Sequence, residues 1–482
     1  MPKWLMLLLL MMHITNGFYL SNTDLAVNYT DIPQTNFLNN QQSQPNVAFG
    51  CSVSDSHNNL YLFSSSYYYP AQWAGSESYR CRNTKKYVEI AKYNKTSEAF
   101  LDTLLIGENN NLYSNAVGDL GSDNVVSCGY HEKLNIIYYI ASNYYKCSSN
   151  YKTDSSIVRI NATTFSFIDR TILKNMNNVP SFSSNPFSEL NYISAPTTSE
   201  LMDDVLWLGF GTSYETGIWK INITGKNIEL IGTYQSKYMA EMEMMGDEEK
   251  RYYERIMGEF KYSFQNEENK MLYFVSDTLW DDVRVLAINT TKPLNKNATK
   301  IYTLEGINYI SNIKVNLINN RIYIISGSLS SELYQYDFNF NKLKLNDKCN
   351  IDFLKFPTEW GVITGMEIDY KSGYLYPIIS NRYDHSGIAK IDMKDLSLDL
   401  GSHEKFKEVV HWKSDSNEYS YNTYYQKYNI SHIDLEMGKI LLVAANGAGN
   451  GKKLITIDLY GCAHGKGING NICILCEAGK YS

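Results

Sequence analysis

The chain has 482 residues, 44% of them hydrophobic, and a formal charge of −7. That charge is spread without long blocks, so nothing in it recommends a nucleic-acid partner. Beyond the first residues, no stretch offers the roughly 18 uninterrupted apolar positions of a membrane-spanning helix.

In chain order, the first element is a targeting segment. MPKWLMLLLLMMHITNG places Lys3 before a short apolar run, Trp4 to Met12, with small residues Thr15 and Gly17 near its end. This is the pattern of a secretory signal peptide over residues 1–17. It predicts a secreted, extracellular chain in an oxidising compartment, where the eight cysteines can pair.

A short pattern then recurs: an aliphatic residue, two variable residues, Ile or Tyr, and Asn or Asp. It reads IAKYN (90–94), IVRIN (157–161), IWKIN (218–222), VLAIN (285–289), LYQYD (333–337), IAKID (388–392) and LITID (454–458). Upstream of each copy lies a run of β-branched and aromatic residues opening from a polar turn, such as NNLYLFSS (58–65) or NRIYIISG (320–327). A further strand precedes each run, and another follows most pentads. The unit is four antiparallel strands, A to D, repeated seven times at a spacing of roughly 50 to 70 residues. The sequence therefore predicts an all-β fold over residues 18–460, a seven-bladed β-propeller of four-stranded antiparallel blades. Radial packing covers both faces of each sheet, which a free sheet cannot do. A linear β-solenoid is the alternative. The last unit has strands A (Ile430–Leu435), B (Lys439–Ala445) and C (Lys453–Leu459) but no D. FYLSNTDL (18–25) is expected to supply it from the N-terminal side.

Sequons occur at Asn28, Asn94, Asn161, Asn222, Asn289, Asn297 and Asn429. Four of them, Asn94, Asn161, Asn222 and Asn289, end a pentad, at the turn from C to D. Asn297 lies in an extended C–D loop. Glycans there would occupy the face that carries A–B and C–D turns. The opposite face receives long B–C and D–A loops at 64–86, 174–190 and 403–427, and long loops on a rigid scaffold often carry function. They make Tyr67, Tyr68, Tyr69, Trp73, Trp412, Tyr424 and Tyr425 the candidate ligand-binding residues, for an extracellular protein or glycan. The forty tyrosines fit an aromatic binding face, or the codon bias of an AT-rich genome. Residues 236–258 read as a helical insertion. Its Met242, Met245, Tyr252 and Ile256 would pack on the propeller or face a partner.

Catalytic and metal motifs are missing. There is no HExxH, phosphate-binding Gly-Lys-Ser loop or GxSxG elbow, so no metal, cofactor or catalytic residue is expected. The enzymatic alternative is a glycan hydrolase using Asp277, Asp281 or Asp282 in SDTLWDDV. Among the cysteines, shared topology predicts the pairs Cys51–Cys81 and Cys128–Cys147, each joining strand A to a B–C loop.

The chain closes on GCAHGKGINGNICILCEAGKYS. Its Cys473-x-x-Cys476-x-x-Gly479-x-Tyr481-Ser482 core resembles the ephrin-receptor-like cysteine-rich repeat, in part. Residues 461–482 are read as the beginning of such a module, with Cys462 closing on Cys473 and Cys349 and Cys476 unassigned. The blades, IVRINATTFSFIDRTIL (157–173) above all, resemble secreted protist propellers that precede such repeats. The resemblance implies recognition at a cell surface or in a matrix. An alternative is the ectodomain of a receptor whose membrane segment lies outside this sequence.

Overall fold

The computed structural model describes residues 18–20, 25–33, 46–68, 85–106, 122–147, 150–173, 176, 196–211, 216–235, 259–277, 283–295, 297–307, 309–327, 331–345, 353–356, 362–371, 373–380, 386–392, 407–414, 430–434, 437–445, 452–462, 466–469 and 472–475. The expected signal segment at 1–17 and the expected helix at 236–258 lie outside them. The regular elements are β-strands, arranged as a seven-bladed β-propeller.

Two compact units divide the chain, Ile32–Tyr309, and Met1–Asp31 with Ile310–Ser482. The first holds blades one to four. Their strands A to D are Asn46–Ser54, Asn59–Tyr68, Lys85–Asn94 and Ala99–Ile106 in blade one. In blade two they are Ser122–His131, Ile136–Cys147, Asn150–Asn161 and Ser166–Ile172. Blade three has Pro196–Met202, Val205–Gly211, Thr216–Asn222 and Glu229–Gln235. Blade four has Glu259–Asn266, Met271–Asp277, Val283–Asn289 and Thr299–Leu304.

The second unit holds blades five to seven. Blade five has A Ile310–Asn316, B Arg321–Ser326 and C Glu332–Tyr336. Its outer position is split between Lys342–Leu343 and Phe353–Lys355, both paired with C. Blade six is Val362–Asp369, Tyr374–Ser380, Ser386–Asp392 and Lys407–Ser414. Blade seven has A Ile430–Asp434, B Lys439–Ala445 and C Lys452–Cys462. A separate hairpin, Lys466–Asn469 with Ile472–Leu475, forms the tail.

The apolar runs are continuous because each blade is covered on both faces. In blade two, Ile137 and Tyr139 pack with Phe63 and Ile90 of blade one. Their neighbours Tyr138 and Ile140 pack with Leu206 and Trp219 of blade three. Alternation along the strand sends successive side chains into opposite seams, and each demands an apolar residue. The pentads on strand C obey the same rule. Their first residues, from Ile90 and Ile157 to Ile388 and Leu454, are fully buried. Full burial of one such side chain contributes about 1.5–3 kcal/mol.

Every A–B turn places a left-handed residue immediately before strand B: Asn58, Asn135, Asp204, Lys270, Asn320, Gly373 and Gly438. Asn, Asp and Gly, which hold six of these seven positions, tolerate that conformation, which explains why such residues open the hydrophobic runs; Lys270 is the exception. The first strands of blades one to six also carry a bulge, at Gly50 in blade one and Val126 in blade two. A Cβ on Gly50 would strike the Val125 backbone, so this glycine permits the close approach of the two first strands.

Two expectations are corrected here. Blade seven is completed by Leu25–Asp31, which pairs with its strand C. Residues 18–20 of the expected closing segment instead pair with Lys407–Ser414, as a fifth strand on blade six. The closing strand thus starts where the expected one ended. It adds its seven residues antiparallel along strand C, from Leu25 opposite Cys462 to Asp31 opposite Lys453. The second correction concerns sulfur. Cys51 bonds Cys128, with Cα atoms 6.0 Å apart. The pairs Cys51–Cys81 and Cys128–Cys147 are therefore not formed. The first strands of blades one and two lie side by side, and that adjacency outranks the loop contact inferred within one blade. Cys147 ends strand B, and Cys81, Cys349 and Cys476 lie outside the described residues. Cys462 ends strand C of blade seven, and Cys473 lies in the tail hairpin opposite Ile468.

Candidate functional site

Antiparallel hairpins put the A–B and C–D turns of a blade on one edge. In blades one to four that edge is organised by the pentad asparagines. Asn94 Oδ1 accepts the Ser97 N–H at 2.8 Å. Asn161 Oδ1 accepts from Thr164 N at 2.9 Å. Asn222 Oδ1 takes the Thr224 N–H at 3.0 Å and its hydroxyl at 2.8 Å. Asn289 Oδ1 does the same with Thr291, at 3.0 and 2.6 Å. Each side chain closes an Asx turn, giving the chain an acceptor where the strand ladder stops. The sequon hydroxyl of Asn222 and of Asn289 is therefore part of the turn. The four asparagines remain partly accessible, and Asn297, in the C–D turn of blade four, is exposed. All five lie on the A–B/C–D edge. Asn28 is exposed on the closing strand, opposite Thr456. Asn429 lies outside the described residues.

Between the asparagines runs a set of cross-blade contacts that sequence reasoning missed. Lys92, third in its pentad, donates to the Ala162 carbonyl of blade two at 3.5 Å and lies over the Tyr61 and Phe165 rings. Arg159, at the same pentad position in blade two, donates to the Ile223 carbonyl of blade three at 2.8 Å. Ala162 and Ile223 are both the middle residue of a sequon, so one contact is repeated one blade on. Arg159 also reaches the Gly225 and Lys226 carbonyls and pairs with Asp169 through two nitrogens. The strand D bulge between Phe167 and Asp169 turns that carboxylate inward. A cation third in IAKYN and IVRIN was the available signal.

The edge also carries charge. Asp203 and Asp204 form the A–B turn of blade three, both left-handed. Lys133 of blade two holds Asp204, and Lys270 of blade four holds Asp203, each at 2.7 Å. The Lys133 hydrogen bond lowers the Asp204 pKa, and Asp204 raises that of Lys133. In blade one, Asp55 accepts from the backbones of His57 and Asn59, the Asn59 amide and the Tyr61 hydroxyl. Burial would raise the Asp55 pKa, but these four donors outweigh it and hold the carboxyl below its ordinary value. The same Asp-x-x-x-Asn arrangement closes the C–D turn of blade five, where Asp337 accepts from Asn339 and Asn341.

Of the seven aromatic candidates, Tyr67 and Tyr68 are the last residues of strand B in blade one, opposite Lys86 and Lys85. They lie at the end away from the sequon-bearing turns. Trp412, expected in a loop, is instead in strand D of blade six, between Ser386 and Leu20. Alternating Val, Trp and Ser in KEVVHWKS suits a strand with partners on both sides. Tyr69, Trp73, Tyr424 and Tyr425 lie outside the described residues. Tyr67 and Tyr68 are the only two that the described residues place together. Of the hydrolase aspartates, Asp277 ends strand B of blade four, and Asp281 and Asp282 are outside. Among the described residues no group of three or more His, Cys, Asp or Glu side chains could hold a metal ion. No helix among them is long and apolar enough to cross a membrane.

No family model matches the chain, and no curated protein matches its sequence. Solved structures do share its shape at low identity. The β-propeller domain of Cps50 (Swd1) from Myceliophteria thermophila is 7% identical, with a TM-score of 0.46 over 90% of this chain and 99% of that one. Sqt1 from Saccharomyces cerevisiae is 10% identical, with a TM-score of 0.44 over 91% and 99%. At such scores these likenesses carry no statement about activity or partners.

Proposed function

We propose that this protein is a secreted, N-glycosylated binding scaffold that recognises an extracellular protein or glycan through its B–C and D–A loops. The observation that carries the reading is the common placement of Asn94, Asn161, Asn222, Asn289 and Asn297 on the A–B/C–D edge of blades one to four. Glycans there would shield that edge and leave the loop-bearing edge for a partner. The Cys51–Cys128 bond fits an oxidising compartment. Tyrosine and tryptophan offer contact area at low entropic cost, which suits the loop edge to recognition.

The test uses the full chain secreted from a glycosylating host and probed on an array of glycans and cell-surface proteins. Alanine at Tyr67, Tyr68, Tyr69, Trp73, Tyr424 and Tyr425 together abolishes capture while the melting temperature holds. Capture that survives these substitutions overturns the assignment of the loop edge. A secreted protein of unmodified mass overturns the glycosylated edge.

A further inference from the structure

The seam between blades three and four holds polar groups that packing alone does not need. On strand A of blade three, Ser199 faces blade two, where its hydroxyl is hydrogen-bonded to that of Ser127 at 2.6 Å. Its neighbours Thr198 and Glu200 face blade four. The Thr198 hydroxyl is bonded to that of Ser263, and Ser263 also bonds the Glu200 carboxyl. The Ser199 carbonyl lies 3.5 Å from the same Ser263 hydroxyl. Around them pack Phe260, Phe274 and Ile288.

A proton count distinguishes two states. Thr198 and Ser263 bring one proton each, to be shared among the hydroxyl oxygens, the Ser199 carbonyl and the carboxyl. A protonated Glu200 adds a third donor and completes the chain. An ionised Glu200 adds none, and its charge stands in an apolar seam. Directly across the strand pair is Trp207, 1% exposed, whose indole N–H has no hydrogen-bond partner. Across from Trp207 is Lys220, its amine 5.0 Å over the indole ring. Carboxyl, indole and ammonium thus form one cross-strand row on the same face of the blade.

We propose that this row is a proton-linked latch: protonated Glu200 locks onto Ser263, and ionised Glu200 turns to the Trp207 indole N–H and the Lys220 charge, loosening the seam. Other titratable or charged groups face the seam from the packed elements. Tyr138 lies in the neighbouring seam between blades two and three, hydrogen-bonded to Ser199 and within the electrostatic reach of Glu200. Asp203 and Lys270 pair with each other at the turn end, and Lys261 of blade four lies over the Tyr309 ring. The groups left to answer the carboxylate are Ser263, the indole and Lys220. Burial pushes the Glu200 pKa up to about 7, so the latch turns over near neutrality.

The test is tryptophan emission and amide hydrogen exchange of the full chain between pH 5 and 9. Wild type shows a sigmoidal emission change near pH 7, with faster exchange in Glu259–Asn266 above it. Glu200→Gln abolishes both changes, and Trp207→Phe removes the emission change while leaving the exchange change. Ser263→Ala, which removes the partner that the protonated carboxyl locks onto, moves the midpoint to lower pH. An unchanged transition in Glu200→Gln, an unmoved midpoint in Ser263→Ala, or pH-independent exchange in wild type overturns the latch.

Discussion

Blades one to four and blades five to seven solve the C–D turn with different side chains. The first unit ends every pentad in asparagine, Asn94, Asn161, Asn222 and Asn289, each within a sequon. The second ends every pentad in aspartate, Asp337, Asp392 and Asp458. Asp337 caps its turn through Oδ1 as Asn222 does. The turn therefore needs an acceptor oxygen, which amide and carboxylate both provide. An amide nitrogen at all four positions of one unit is a separate choice, and it is the chemistry that N-glycosylation requires. The first-strand carboxylates differ as well. In blade six Glu367 is buried against Lys314 of blade five at 2.9 Å, whereas Glu200 in blade three is held by hydroxyls.

The largest effect should come from the strand that only the second unit borrows. Deleting Leu25–Asp31 removes the fourth strand of blade seven and should abolish cooperative thermal unfolding. Deleting Phe18–Leu20 removes a fifth strand and should lower the melting temperature far less. Equal effects would place the closure elsewhere. In the first unit, Arg159→Ala should cost about 3–5 kcal/mol in denaturant unfolding, because Asp169 and three carbonyls lose their donor in a nearly buried setting.

Glu200 makes stability depend on pH. A carboxyl whose folded pKa, about 7, exceeds its unfolded value of 4.5 favours folding when protonated. Its contribution is fullest below the unfolded value and is lost as pH rises through 7. Stability should fall by about 3 kcal/mol from pH 5 to pH 8. Glu200→Gln should flatten that slope. Asp55 acts in the opposite direction: its pKa is depressed, so its contribution holds above its ordinary 3.8 and is lost as pH falls below it. The substitution Asp55→Asn should therefore weaken the acid limb of the stability profile.

The turn comparison gives the smallest stability effects and the sharpest chemical one. Asn222→Ala should cost about 1 kcal/mol, the usual worth of a lost side-chain cap. Asn222→Asp and Asp337→Asn should each change the melting temperature little, since the acceptor persists. The proposed glycosylation predicts that both Asn222 variants, expressed in a glycosylating host, lose one glycan mass relative to wild type. A large destabilisation by Asn222→Asp would mean that the amide nitrogen is part of the fold.

Much of the architecture was legible because its causes are local or repeated. A buried strand C needs apolar residues in both directions, its turn needs Asn or Asp, and strand B starts after a left-handed residue. These demands recur in each blade and write the pentad and the polar openings directly into the chain. The contacts between blades were less legible. Arg159 and the Ile223 carbonyl stand 64 residues apart, and Cys51 and Cys128 are separated by 77. Within IVRIN the arginine resembles any solvated strand residue. Its carbonyl partners exist only after the next blade has folded against it.

By itself the sequence determined the all-β class, the number of blades, the A-to-D strand order that they repeat and the edge on which five of the seven sequons fall. Periodicity and turn chemistry act within one blade, so one blade's residues suffice to reveal them. Only the tertiary structure decided that Leu25–Asp31 closes blade seven, that Cys51 pairs with Cys128, and that Glu200 shares a row with Trp207 and Lys220. Pairing energy depends on which strands lie adjacent and in what register, and a one-residue change of register sends a side chain to the other seam.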